Sequence, residues 1–244
     1  MKEERYFFVP NAGKQTELSQ EEAAHATRVL RLKEGDEIYL MDGEGSFFRA
    51  EITMTSSKRC TYTIKEHLPQ EHPWKGNIHI AMAPTKMMER TEWMAEKCTE
   101  IGVDELSFLE CQFSERRKVR TDRIEKVVVA AAKQSRKAWK PELNEIVSFG
   151  NFIRQAPVSS RRYIAHCYEE IPRVNLFDTL RQQVGINDDV IVMIGPEGDF
   201  SINEVRQAIE AGFVSVDLGS SRLRTETAGL SAVMAVHFAK QIQR

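Results

Sequence analysis

The stretch Val190-Ile-Val-Met-Ile-Gly-Pro-Glu-Gly-Asp-Phe200, followed by Leu218-Gly-Ser-Ser-Arg-Leu-Arg-Thr-Glu-Thr-Ala-Gly-Leu230, decides how this chain is read. Residues 190–194 form a continuous apolar, β-branched-rich run, as expected of a strand buried on both faces. Gly195-Pro196-Glu197-Gly198 cannot continue that strand, so the backbone must turn there. Ser201 and Glu204 form a capping box that opens a helix, with Gly212 as its stop. Phe213 to Leu218 predicts a second strand, Gly219 to Glu226 a second loop, and Thr227 to about Gln241 a closing helix. Both loops should sit at the carboxyl ends of parallel strands, where open α/β sheets bind ligands.

Working outward, the two loops differ in chemistry. The first offers flexible backbone and one carboxylate. The second packs Arg222, Arg224, Thr225, Glu226 and Thr227 into six residues. Taken singly, a glycine loop is commonly a plain turn and a mixed-charge loop a solvated one. Two of them on successive strands of one sheet point to a site.

The paired phrases Ile194-Gly-Pro-Glu-Gly-Asp-Phe200 and Leu218-Gly-x-x-Arg-Leu-Arg-Thr-Glu-Thr-Ala228 closely resemble the SPOUT-class 16S rRNA (uracil-N3)-methyltransferase family. The resemblance implies a C-terminal α/β domain with a parallel sheet tied in a deep trefoil knot. It further implies S-adenosylmethionine bound in the knotted loops, a homodimer, and a small PUA-like β-barrel in front that binds RNA. Periodicity and spacing show no knot, and ordinary chain rules disfavour one.

The chain has 244 residues, enough for one large or two modest domains. It has no apolar run of about 18 residues and no apolar segment at the N-terminus, so neither a membrane span nor a secretory signal is expected. The cysteines at 60, 98, 111 and 167 show no Cys-x-x-Cys pairing or zinc spacing. Free, mostly buried thiols in a cytoplasmic protein, without metal, are the economical expectation. Net charge is −2, but residues 111–140 carry ten Lys/Arg against three acids, leaving −9 for the rest. Such asymmetry fits a polyanion-binding face or a solvated helix.

The first 70 residues read as short strands with one helix: 5–9, 37–41, 46–54 and 59–66, with a Ser19/Glu22 capping box opening a helix to about Leu30. A compact β-barrel is the expectation for 1–70, which looks like the family's PUA domain. His25-x-x-Arg28-Val-Leu-Arg31 matches the family's N-terminal pattern. His25, Arg28 and Arg31 should share a helical face and, with Arg5, contact phosphates; the bland alternative is a solvated helix end. Residues 71–76 read as a linker, and 77–244 as the methyltransferase domain.

Asn77–Ala83 predicts a strand, about Lys86 to Ile101 a helix stopped by Gly102, and Asp104–Glu110 the next strand. Thr121 should cap a helix reaching about Trp139. Gln134-Ser135 matches the family, which often has Gly-Arg next, where this chain has Arg136-Lys137. Charge is kept, but the bidentate geometry of an arginine at 137 is not. The resemblance thus makes Arg116, Arg117, Lys133, Gln134 and Lys137 RNA-binding candidates. Tyr163–Tyr168 predicts a buried strand whose end carries His166, the first of three cofactor-loop positions by resemblance. A strand-end histidine is nevertheless more often structural.

Methyl transfer from a sulfonium is an in-line displacement needing no metal, so alignment can supply most of the acceleration. The uridine N3 proton must be removed or weakened. Arg222 or Arg224 can stabilise the uridine anion; Glu197 or Glu226 can take the proton or orient an arginine. The resemblance places the cofactor against His166, Ile194, Gly195, Pro196, Glu197, Gly198, Leu218, Gly219, Leu223, Arg224, Thr227 and Ala228. A nucleotide fold of the Gly-x-Gly-x-x-Gly type and a P-loop enzyme are excluded, because neither phrase is present. A non-catalytic RNA-binding protein would be expected to lack the cofactor loops, and both are here. The face of the last helix with Leu230, Val233, Met234 and His237 is read as core or dimer surface.

Overall fold

The computed structural model describes residues 4–56 and 58–243. Two compact units emerge: residues up to Pro73 together with Val129–Lys140, and Trp74–Val128 together with the chain from Pro141 onward.

The first unit is a four-stranded sheet, in the order β1 (Tyr6–Phe8), β2 (Glu37–Met41), β3 (Ser46–Thr55), β4 (Cys60–Pro69). β1 runs parallel to β2, and β3 pairs antiparallel with β2 and β4. Alternating residues Ile38, Leu40, Phe48, Ala50, Ile52 and Tyr62 fill its core with Phe7. The helix α1 (Gln20–Ala24) starts where expected, with Ser19 accepting from the Glu22 N–H. Only half of the expected box forms, because the Glu22 carboxylate accepts from the Phe8 N–H and pairs with Lys133 instead. From His25 to Val29 the turn widens to a π-helix. Arg31 follows it with a φ of 53°, so it lies beyond the helical face expected to hold His25, Arg28 and Arg31 together.

The second unit holds a seven-stranded parallel sheet with helices on both faces. Its strands are β5 (Ile78–Met82), β6 (Glu105–Glu110), β7 (Glu142–Ser148), β8 (Arg161–Ala165), β9 (Val174–Asn175), β10 (Val190–Ile194) and β11 (Val214–Asp217), in the spatial order β7-β6-β5-β10-β8-β11-β9. β10 is buried at every residue, as its composition predicts, and pairs with β5 on one side and β8 on the other. Its even positions join a core with Ile80, Met94, Val233 and Val236; Ile191 and Met193 join another with Phe149, Phe200 and Val205.

The helices of this unit are α2 (Met88–Ile101), the first turns of α3 (Thr121–Gln134), α4 (Phe149–Gln155), α5 (Leu176–Gln183), α6 (Ile202–Glu210) and α7 (Thr225–Ile242). α6 has the full capping box: Glu204 N–H donates to Ser201 Oγ and Ser201 N–H to Glu204 Oε2. One helix, α3, departs from the pattern at both ends. Thr121 does not cap α3; its hydroxyl donates to Glu145. α3 stops at Gln134 rather than near Trp139, because Arg136 takes a φ of 52°. Glycine adopts that conformation freely, which accounts for the glycine the related pattern carries there. α4 and the two-residue β9 have no counterpart in the sequence reading. All four cysteines are free, with Cys60, Cys98 and Cys111 buried and Cys167 exposed. No helix among the described residues is long and apolar enough to cross a membrane.

Candidate functional site

Three parallel strands, β8, β10 and β11, end side by side, and their loops wall a cavity of about 370 Å³. That size lies in the range of about 300–1,000 Å³ typical of small-molecule sites. Gly195 makes the first sharp turn possible: a β-carbon there would approach the Phe200 nitrogen to 2.9 Å. Gly219 has a φ of 111°, a conformation strained for any side chain, and the space above it is open.

The loop after β10 is heavily cross-tied. Glu197 Oε1 accepts the Lys86 backbone N–H at 2.9 Å. Asp199, at a φ of 67°, accepts the Cys167 N–H through Oδ2 and its neighbour Phe200 N–H through Oδ1. Tyr168 donates its hydroxyl to the Phe200 carbonyl. His166 is buried between loops. Its Nδ1 accepts the Tyr168 N–H, so the neutral tautomer carries its proton on Nε2 and donates to Ser215 Oγ at 2.6 Å. Burial, opposed by the Asp199 carboxylate, pulls this imidazole below its usual range. A neutral, doubly bonded histidine is a loop clamp, not a poised base.

The loop after β11 is tied only at its root. Asp217 Oδ1 accepts the Gly219 N–H and the Asn175 side-chain amide. Beyond it, Arg222 and Arg224 are exposed at the cavity wall, and neither makes a hydrogen bond or ion pair among the described residues.

Of the residues singled out from the sequence, His166, Ile194, Gly195, Pro196, Glu197, Leu218, Gly219, Arg222, Leu223, Arg224 and Ala228 line the cavity. Gly198 and Thr227 do not. Gly198 faces Phe113, and α7 begins two residues earlier than expected, which turns Thr225 to the cavity in place of Thr227. Glu226 is buried behind the wall. Its Oε1 lies 3.9 Å from Arg90 Nε, and its Oε2 has no hydrogen-bond partner. Arg90, Arg173 and Asp217 line the cavity without having been singled out. Arg173 reaches back seven residues to the His166 carbonyl, a contact no local pattern encodes. The donors and acceptors fit a small polar ligand with an apolar part: Leu218, Leu223, Ile194 and Ala228 offer a greasy wall beside open backbone. Among the described residues, no group of three or more His, Cys, Asp or Glu side chains is placed to hold a metal ion.

The basic residues separate by how they are used. Arg116 is committed to structure, with its guanidinium donating to the carbonyls of Thr85 and Lys86. Arg117 pairs with Glu110 at 2.6 Å on the surface. In the first unit, Arg5 donates to the Leu30 carbonyl, and Lys133 pairs with Glu22 at 2.6 Å over the Phe7 ring. Arg28, Arg31 and Gln134 are exposed, and burial lowers the half-buried Lys137 ammonium.

Comparison with known proteins bears on this geometry. Residues 71–237 match an RNA methyltransferase domain, and residues 18–65 an RNA methyltransferase PUA domain. Ribosomal RNA small subunit methyltransferase E of Bacillus subtilis is 25% identical over 235 residues, 92% of this chain and 90% of the relative. A crystal structure of a probable rRNA-methyltransferase from Porphyromonas gingivalis superposes with a TM-score of 0.92 at 41% identity, covering 98% of this chain and 100% of that one. A Legionella pneumophila methyltransferase solved in complex with bound SAM has a TM-score of 0.82 at 26% identity, covering 97% and 98%.

Proposed function

Because the chain belongs to the RNA methyltransferase family whose domain model spans most of it, we propose that it methylates N3 of a uridine in 16S, small-subunit ribosomal RNA, using S-adenosylmethionine. The observation that carries this reading is the cavity at the ends of β8, β10 and β11, with two uncommitted arginines on its rim. Bound S-adenosylmethionine supplies the methyl group on its sulfonium. Around it, Gly195 and Gly219 let backbone approach closely, and Leu218, Leu223 and Ala228 provide apolar cover.

Arg222 and Arg224 are the groups available to a developing uridine anion, because they alone of the named candidates keep their donors open. Glu197 holds the Lys86 amide, and Glu226 is buried behind the wall, so both are better placed to position the loops than to take the N3 proton. The exposed Arg28, Arg31 and Gln134 and the half-buried Lys137 are candidates for RNA contact, beside Arg5, Arg117 and Lys133, which also bind protein groups. The division into a barrel over 1–70, a linker at 71–76 and a catalytic domain over 77–244 belongs to this reading. So do a knotted path for the cofactor loops, action in the cytoplasm, and a homodimer. Supporting the last, α7 exposes Met234, Phe238 and Ile242 along one helical stripe, as an apolar dimer surface would.

The test is methyl incorporation from labelled S-adenosylmethionine into small ribosomal subunits lacking the modification, followed by nucleoside mass analysis. A 3-methyluridine product is expected; a different methylated nucleoside would overturn the proposed substrate atom.

A further inference from the structure

A further cavity, of about 460 Å³, opens at the other end of the parallel sheet, where the strands begin. Its wall carries His79 from the start of β5, Glu105 and Ser107 from the start of β6, and Asn144 from β7. His79 Nε2 lies 2.8 Å from Ser107 Oγ, and His79 Nδ1 lies 3.3 Å from Glu105 Oε2. Asn144 Nδ2 donates to Glu105 Oε1 at 2.6 Å and to Ser107 Oγ at 2.9 Å. His79 and Ser107 are 7% and 3% exposed, so the array is shielded from bulk water yet faces a void. The methyl-transfer site uses none of these residues.

The backbone is irregular at this point. Between β6 and β7 the register slips: Leu106 faces Leu143 and Phe108 faces Ile146, so Asn144 and Glu145 together oppose Ser107. Such a bulge re-aims side chains, and here it directs the Asn144 amide onto both the serine and the glutamate. The Glu105 carboxylate beside Nδ1 favours the imidazole proton there, so Nε2 accepts from the Ser107 hydroxyl, whose oxygen in turn accepts from Asn144. Burial lowers the imidazole's proton affinity against the opposing Glu105 charge, which keeps it in the neutral form a base requires. The remaining wall mixes Val147, Phe152, Ala156 and Ile191 with the polar Ser160 and Asp189, which leaves room for a short acyl group.

We infer that this cavity is a second reactive site, in which Ser107 is a nucleophile toward small acyl esters, His79 is its general base and Glu105 orients the imidazole. The arrangement has the roles of a serine–histidine–acid triad, which are recognised by geometry and not by sequence position. Ser107 Oγ bonds to the ester carbonyl carbon while its proton passes to His79 Nε2. The ester C–O bond breaks and the alcohol leaves with that proton. Water, deprotonated by His79, then attacks the acyl-Ser107, releasing the carboxylic acid and restoring the hydroxyl. Asn144 Nδ2, donating to both Ser107 Oγ and Glu105 Oε1, holds the nucleophile and the acid in register.

The experiment treats the full-length protein with a fluorophosphonate and, separately, with p-nitrophenyl acetate, and locates adducts by peptide mass analysis. Formation of the Ser107 Oγ–phosphorus bond with loss of fluoride, and a burst of nitrophenolate, are expected. Ser107→Ala should abolish both while leaving methyl transfer unchanged. Glu105→Gln should slow labelling of Ser107 by about 100-fold or more if it orients the base. This second variant separates positioning from packing, because its melting point is measured alongside. Absence of a Ser107 adduct overturns the inference, as does an unchanged labelling rate in Glu105→Gln. Modification confined to the exposed Cys167 also overturns it.

Discussion

The loop after β10 and the loop after β11 both leave the carboxyl end of a parallel strand, face the same cavity and enter a helix, yet they are restrained very differently. In the first, Glu197, Asp199 and the Phe200 carbonyl all accept hydrogen bonds from other segments, and Glu204 seals the following helix while accepting the Gln112 N–H. In the second, among the described residues, only Asp217 is tied, and the two arginines are left open. Acidic groups here hold backbone in place, and basic groups keep their donors for a ligand. The same sheet thus presents one cross-tied wall and one wall with open arginines. Pre-organised geometry with uncommitted donors is what stabilisation of a developing anion requires.

Breaking the wall with open arginines should have the largest effect on chemistry. Arg224→Ala is expected to lower methyl transfer by about 100- to 1,000-fold with little change in melting point; full activity in that variant would remove the arginine from the mechanism. Breaking the cross-tied wall should show first as instability. Gly195→Ala places a methyl 2.9 Å from the Phe200 nitrogen and should cost about 1–3 kcal/mol in denaturant unfolding, with weaker cofactor binding by calorimetry. Asp199→Ala removes two acceptors and leaves the Cys167 N–H without one, for about 1–3 kcal/mol, and Asp199→Asn, whose amide oxygen can replace only one of the two acceptors, should also destabilise.

A smaller effect compares two cations of the basic segment. Lys137→Ala should reduce the salt slope of RNA binding by roughly 0.7–0.9, one phosphate contact. Arg116→Ala should leave that slope unchanged and lower thermal stability instead, since its donors end on Thr85 and Lys86.

The smallest effect is expected from His166. Its pKa in the fold is lowered, so the unfolded chain binds the proton more readily. Its contribution to stability is therefore present above the ordinary imidazole pKa of about 6.5 and is lost as pH falls toward the depressed value. Denaturation midpoints of wild type and Ser215→Ala, followed from neutral to mildly acid pH, check this. A wild-type curve flat through that window would show that folding does not lower the His166 pKa.

Much of the scaffold is legible from short-range chemistry. The run 190–194 is buried at every residue because five consecutive apolar side chains leave a strand no solvent face. Ser201 and Glu204 cap α6 because the reciprocal bonds span only three residues. The Ser19/Glu22 pair shows the limit of the same pattern. Glu22 found Lys133 and the Phe8 amide, partners far along the chain, and left the box half made. Thr121 was drawn to Glu145 for the same reason.

What the sequence by itself determined is most of the strands and helices of the second unit, α4 and β9 excepted, and the two phrases that wall the cavity. Those depend on backbone conformations set within a few residues: glycine where the chain must turn tightly, apolar runs where it is covered, capping groups where a helix starts. Only the tertiary structure decided which cation is free and which is spent. Arg116 and Arg224 are alike as letters, but one meets backbone carbonyls from a segment 30 residues away and the other meets open space. Tertiary contact also brought Arg90, Arg173 and Asp217 to the cavity, and set His79, Ser107, Glu105 and Asn144 together across three strands. A side chain's chemistry depends on its neighbours and its exposure, and parallel pairing draws those neighbours from strands separated by whole helices.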